Sequence, residues 1–192
     1  MALLNQKLLS KIENKILELG SLYKKYRAII LTEDDLKCLI FMKLFEINEI
    51  SGFEHVTYDS HVLGSKIHAE LSWFNENGKL TIKPDLTIVE PKYLSIIRSI
   101  EGGRLPSKQY SFGGEVIIVE IKFCRYKRGI TKKFFENVKK DFEKINNKLF
   151  SKLSNEGLLN SIFCFYVLFA KNDKCCNEFK DFLIIIKKYS LI

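Results

Sequence analysis

The apolar run at 116–123 (VIIVEIKF) carries two charges, Glu120 and Lys122, two residues apart. Its length and β-branched content predict a strand over 115–124. Side chains alternate along a strand, so residues 120 and 122 share one face while Val119, Ile121 and Phe123 point the other way, into a core. An ionised carboxylate among core positions is strongly unfavourable unless a counter-charge or hydrogen bonds compensate it. A second carboxylate stands 35 residues earlier, in Pro84-Asp85. Proline gives a sheet no ladder N–H, so the strand holding it is expected to be an edge or to be bulged there, an irregularity common beside active sites.

Two further strands, 66–73 and 79–89, alternate around Asn77-Gly78, a strong signal for a tight hairpin. With a two-residue loop the numbers of paired residues sum to 155: Trp73 meets Ile82, Leu71 meets Pro84, Ala69 meets Leu86 and Ile67 meets Ile88. One face is then apolar throughout, and on the other Glu70 lies opposite Asp85, with Cβ atoms starting roughly 5 Å apart. Like charges that close are destabilising unless a cation lies between them. A four-residue loop would set His68 opposite Asp85 and keep Glu70 on the same face.

The pattern around these strands predicts helices at 2–26 and 32–48. The second opens with Thr32 as N-cap and Glu33, Asp34 and Asp35 in its first turn, where acids complement the helix dipole. A long connection at 91–112, with a short helix over 94–100, leads to the 115–124 strand. An amphipathic helix at 131–150 and an apolar strand at 161–170 follow, and the segment after 171 is a helix or a further strand.

With 192 residues, 46% hydrophobic and 28% charged, the chain fits one globular domain. No apolar stretch is long enough to span a bilayer, and the leucines at 3, 4, 8 and 9 are broken by polar residues as in an amphipathic helix, not a signal peptide. A cytoplasmic protein with no membrane partner is expected. Five cysteines (38, 124, 164, 175, 176) lack metal-site spacing, so reduced thiols are expected. The net charge is +8, and residues 122–152 hold eleven Lys or Arg against three acids. Such an excess is either a solvated helix face or a surface for phosphates.

The order helix, hairpin strand with Pro84-Asp85, strand with Glu120-Ile121-Lys122, helix, strand resembles the core of the PD-(D/E)xK nuclease superfamily, the restriction-endonuclease-like fold. The stretches His68-Ala-Glu-Leu-Ser-Trp, Pro84-Asp85 and 112–123 look like the small stand-alone bacterial and phage members. The resemblance covers about residues 32–170. It implies an α/β fold with a central mixed β-sheet flanked by helices. Within a single nuclease-like domain over 1–192 it makes 1–31 a helical extension, 32–170 the core and 171–192 a C-terminal element.

What the resemblance implies for chemistry is a Mg²⁺-dependent deoxyribonuclease, with Mn²⁺ as a substitute, acting in DNA repair, recombination, restriction or mobile-element function. Asp85 and Glu120 would bind the metal, with the Ile121 carbonyl as a third oxygen. Lys122 would orient the attacking water or help to deprotonate it, and offset charge on the phosphate. An additional acid is common in this superfamily, and Glu70, then Asp35, with Glu33 and Glu46 also open, are the candidates. His68 could touch a phosphate or a water. Lys108, Arg125, Lys127 and Arg128 are candidate phosphate contacts, and cleavage of both strands would call for a homodimer. Two other readings remain: a non-cleaving nucleic-acid-binding or assembly subunit that keeps the fold, and a basic helix that docks on an acidic protein partner within a larger DNA-processing complex.

Overall fold

The computed structural model describes residues 5–74, 80–97, 110–126, 129–148, 159–171 and 184–191. Helix α1 (Gln6–Lys25) starts where the Asn5 side chain accepts the Leu8 N–H at 2.8 Å, and buries Leu8, Leu9, Ile12, Ile16, Leu19 and Tyr23 along one stripe. Helix α2 (Glu33–Phe45) opens with a capping box in which Thr32 accepts the Asp35 N–H and Asp35 accepts the Thr32 N–H. It buries Leu36, Ile40 and Leu44.

Short strands follow: β1 (His55–Val56), β2 (Leu63–Gly64), β3 (Ile67–Ala69), β4 (Trp73–Phe74), β5 (Leu80–Ile82), β6 (Leu86–Val89), β7 (Leu94–Ser95) and β8 (Ser111–Phe112). Then come β9 (Gly114–Cys124), α3 (Lys132–Lys148), β10 (Leu159–Ala170) and β11 (Ile184–Leu191). The fold is α/β, and its central five-stranded sheet is mixed, in the order β11-β10-β9-β6-β3. β9 and β10 run parallel, with α3 in the crossover that parallel strands require, and the other pairs are antiparallel.

Alternation along β9 and β10 divides the core in two. Ile117, Val119, Ile121 and Phe123, with Phe163, Phe165, Val167 and Phe169, face α1 and α2. Val116, Ile118, Ile162, Cys164 and Tyr166 face the opposite way, onto Trp73, Ile82 and the Val138 and Phe142 stripe of α3. Fully burying one such side chain contributes roughly 1.5–3 kcal/mol, so the two layers dominate the stability of the sheet. Glu120 and Lys122 lie on the α3 face by the same parity.

The hairpin register is the one a two-residue loop predicts: Ile67 pairs with Ile88, Ala69 with Leu86 and Trp73 with Ile82. The turn itself lies outside the described residues, and the register shifts by one at Phe74, which pairs with Leu80. The two long strands are each broken. Pro84 has no N–H to donate and separates β5 from β6, while Glu70 takes a left-handed φ of 54° and separates β3 from β4. β3 and β6 therefore stay in the central sheet, and β4 and β5 form a separate ribbon.

Leu94 and Ser95, expected to start a short helix, instead pair with Phe112 and Ser111. Ser95 and the Ile96 N–H are both held by the buried Asp59 carboxylate, which fixes the extended backbone there. The segment after 171 includes a strand, β11, antiparallel to β10. Among the described residues Cys38, Cys124 and Cys164 form no disulfide, and no helix is long and apolar enough to cross a membrane.

Candidate active site

The ladder between β6 and β9 ends at Leu86 and Val119. One step further along the register, Asp85 stands opposite Glu120, and Pro84 diverts the chain away. Beyond that point β9 still pairs with β10 on one side, but among the described residues no strand lies beside its other edge. Two carboxylates take over the donors left on that edge. Asp85 Oδ2 accepts the Ile121 N–H at 2.8 Å, and Glu33 Oε2, from the first turn of α2, accepts the Phe123 N–H at 2.9 Å. The N–H and C=O of one strand residue point to the same side, so the Ile121 carbonyl emerges on this edge as well.

Glu120 is only 8% exposed. Its Oε1 lies 3.5 Å from Lys122 Nζ, and its buried Oε2 has no hydrogen-bond partner among the described residues. Burial, then the adjacent Asp85 charge, push its carboxyl up to about 7, against partial relief from Lys122 and the Asp85 N–H. Burial also raises Asp85. For Lys122 burial works against the ammonium, but the fields of Glu120, Glu33, Asp85 and Asp141 outweigh it and raise its pKa. The site thus holds a lysine that stays charged beside two carboxylates crowded enough to favour protons.

Glu70 and Asp85 are neighbours through the backbone, the Glu70 N–H donating to the Asp85 carbonyl at 2.9 Å. The group that reaches both side chains is Lys37, whose Nζ lies 2.8 Å from Glu70, 3.2 Å from Asp34 and 3.8 Å from Asp85. Glu70 also pairs with Lys83, and hydrogen bonds from these two lysines hold its carboxyl down to about 2. An open cleft of about 460 Å³ is lined by Glu120 and Lys122, by Thr81 and Lys83 on the ribbon side, and by Asp141 and Ile145 of α3.

The remaining candidates are placed differently. Asp35 closes the α2 capping box, its Oδ2 also accepting the Leu31 N–H, which makes it a helix cap and not the acid that reaches β9. Glu46 pairs with Lys15 and Lys43. His68 is largely buried, its Nε2 donating to the Ser65 carbonyl at 2.9 Å, and burial pushes its imidazole down. Arg125 is exposed just past β9, whereas Lys108, Lys127 and Arg128 lie outside the described residues.

The sequence reading did not single out Lys37 or Lys83. A signal for Lys37 was present: Glu33 and Lys37 are four apart on α2, on the side that also buries Leu36 and Ile40. Among the described residues no group of three or more His, Cys, Asp or Glu converges on one point. Mg²⁺ needs less than that, since it is commonly held by one or two carboxylates plus waters and substrate phosphates. Asp85, Glu120 and the Ile121 carbonyl meet that requirement. A cation there would relieve both the unpartnered Oε2 and the repulsion between the two carboxylates.

Comparison with family models, with curated proteins and with solved structures finds no significant match.

Proposed function

We propose that the protein is a metal-dependent nuclease that hydrolyses DNA phosphodiester bonds, with a restriction-endonuclease-like core and with Asp85, Glu120 and Lys122 as its catalytic residues. The observation that carries this reading is the buried, unpartnered Oε2 of Glu120, set beside Asp85 on an open strand edge with a charged lysine within 3.5 Å of the same carboxylate. Asp85, Glu120 and the Ile121 carbonyl would hold Mg²⁺, or Mn²⁺ in its place. When bound, the metal supplies Lewis acidity toward a phosphoryl oxygen and lowers the pKa of a water.

The other roles belong to the chain itself. Asp85 is oriented by its bond from the Ile121 N–H, with its other oxygen 3.8 Å from Lys37 Nζ. Glu33, by capping Phe123, holds the end of β9 in line so that Glu120 and Lys122 keep their common face. The raised pKa of Lys122 makes it a fixed cation. This supports a role in orienting water and stabilising charge developing on the phosphate.

DNA as partner is supported by the charge around the cleft. Helix α3, which lines it through Asp141 and Ile145, presents Lys132, Lys133, Lys139 and Lys140 to solvent. Lysines placed like this neutralise backbone phosphates without reading sequence. One site cuts one strand, so cleavage of both strands calls for a homodimer.

The test is cleavage of supercoiled plasmid and of labelled single-stranded, duplex and branched DNA in Mg²⁺, Mn²⁺ or EDTA, with wild type beside Lys122→Ala. Metal-dependent cutting that disappears in the variant is the expected result. Salt-sensitive binding without cutting in any metal would replace the nuclease by a non-cleaving DNA-binding subunit.

A further inference from the structure

We propose that Glu70 is a positioning residue which holds Lys37 and Lys83 as a two-pronged clamp for a DNA backbone phosphate beside Asp85, and that it is not a metal ligand. The proposal rests on the nuclease reading and assigns residues that neither the motif nor the basic run at 122–152 contains.

Three observations converge on it. First, Glu70 adopts a φ of 54°, a left-handed conformation that a residue with a side chain adopts only when its surroundings impose it, and such positions cluster at functional sites. Its own N–H, bonded to the Asp85 carbonyl, ties that conformation to the site. Second, the Glu70 carboxylate bridges two lysines from different elements, Lys37 of α2 and Lys83 of the loop between β5 and β6. Third, both lysines stand close to the site: Lys83 precedes Asp85 by two residues in the chain, and Lys37 reaches its carboxylate. Lys37 Nζ is 3.8 Å from it with a side chain only 14% exposed, and Lys83 lines the same cleft as Glu120 and Lys122.

The geometry suits an anion better than a second cation. An ammonium group has three donors, and the Glu70 contact leaves each lysine able to donate elsewhere. Handing the Glu70 carboxylate to a metal would strip both lysines of a shared counter-charge and crowd three positive centres together. A phosphate entering beside Asp85 and Glu120 instead meets two lysines already aimed by Glu70, so little side-chain freedom remains to be lost on binding.

The experiment uses the full chain and a labelled oligonucleotide, with binding read by anisotropy in EDTA at several salt concentrations, Mn²⁺ binding read by electron paramagnetic resonance without DNA, and cleavage read in Mg²⁺. Lys37→Met and Lys83→Met are each expected to weaken DNA binding about tenfold and to lower the salt slope by about one. Lys37→Arg should recover most of that loss. Glu70→Gln should weaken DNA binding and raise KM more than it lowers kcat, with Mn²⁺ affinity retained. Glu70→Gly removes the side chain and the backbone strain together, so a variant that melts no lower than wild type yet loses DNA affinity separates positioning from folding.

Lysine variants with wild-type affinity and slope would overturn the clamp. So would loss of Mn²⁺ affinity in Glu70→Gln as severe as in Asp85→Asn, since that makes Glu70 a ligand. Wild type that binds DNA through the two lysines but never cleaves defeats the nuclease reading and leaves the clamp standing. Wild type that binds no DNA defeats both.

Discussion

The Asp85 carboxylate accepts the Ile121 N–H at 2.8 Å and so takes the place of the strand that Pro84 turns away. One interaction thereby does two things. It satisfies a backbone donor at the end of a ladder, and it sets a second carboxylate against the buried Glu120.

Asp85→Asn keeps an oxygen for the Ile121 N–H and removes one of two crowded charges. Cleavage is expected to fall to background, while the melting temperature stays equal to or slightly above that of wild type. A variant that unfolds would contradict this account, and thermal melts beside a plasmid assay decide it.

Lys122→Ala removes a cation and leaves in place Asp85 and Glu120, the carboxylates proposed to hold the metal. Turnover is expected to drop about 10²- to 10³-fold, the loss typical of a missing charge-stabilising donor, with Mn²⁺ affinity retained. Single-turnover cleavage and a Mn²⁺ titration on the same preparation test both halves, and unchanged turnover would remove Lys122 from the mechanism.

The Glu120 carboxyl, raised from 4.5 to about 7, gives a pH dependence of defined sign. Between these values the folded chain binds a proton that the unfolded chain releases, so stability falls as pH rises through this window. The loss is on the order of 3 kcal/mol for a shift of this size. In EDTA, urea denaturation from pH 5 to 8 should show that decline. Added Mg²⁺ should reduce it, because a cation favours the ionised carboxylate, and Glu120→Gln should flatten it.

Glu33 and Asp35, two residues apart on one helix, are predicted to separate cleanly. Asp35→Ala breaks the capping box, at about 1 kcal/mol, with cleavage unchanged. Glu33→Ala leaves the Phe123 N–H without its acceptor, at about 1–3 kcal/mol, and lowers turnover by loosening the end of β9, whereas Glu33→Gln restores most of both. Equal effects of the two alanine variants on turnover would show that the bond to Phe123 does not matter.

How far the sequence reached depends on whether the information was local. The 115–124 strand and the face shared by Glu120 and Lys122 follow from a period of two in a run with no competing signal, and β9 spans Gly114–Cys124. The pairing of Trp73 with Ile82 and of Ile67 with Ile88 follows from the span between the strands, although the Asn77-Gly78 turn is not among the described residues. The placing of Glu70 beside Asp85 was legible, whereas for Lys37 only its place four residues after Glu33 on α2 was, and not its position between the two carboxylates. Lys37 enters from a helix 33 residues away in sequence, and no spacing rule links the two elements. The choice among Glu33, Asp35 and Glu46 stayed open for the same reason, since helical period orders the acids around α2 but cannot say which side meets β9. Leu94 and Ser95 were drawn into a strand by Phe112 and by Asp59, again through partners remote in sequence.

The uncovered stretch of β9 has a further consequence. A bare strand edge is a template on which another chain can add a strand and begin an aggregate. Here Asp85 and Glu33 occupy the Ile121 and Phe123 donors with charged groups that no incoming backbone can match. These two carboxylates keep the edge from recruiting a neighbour, so a chain stripped of both acids is expected to self-associate.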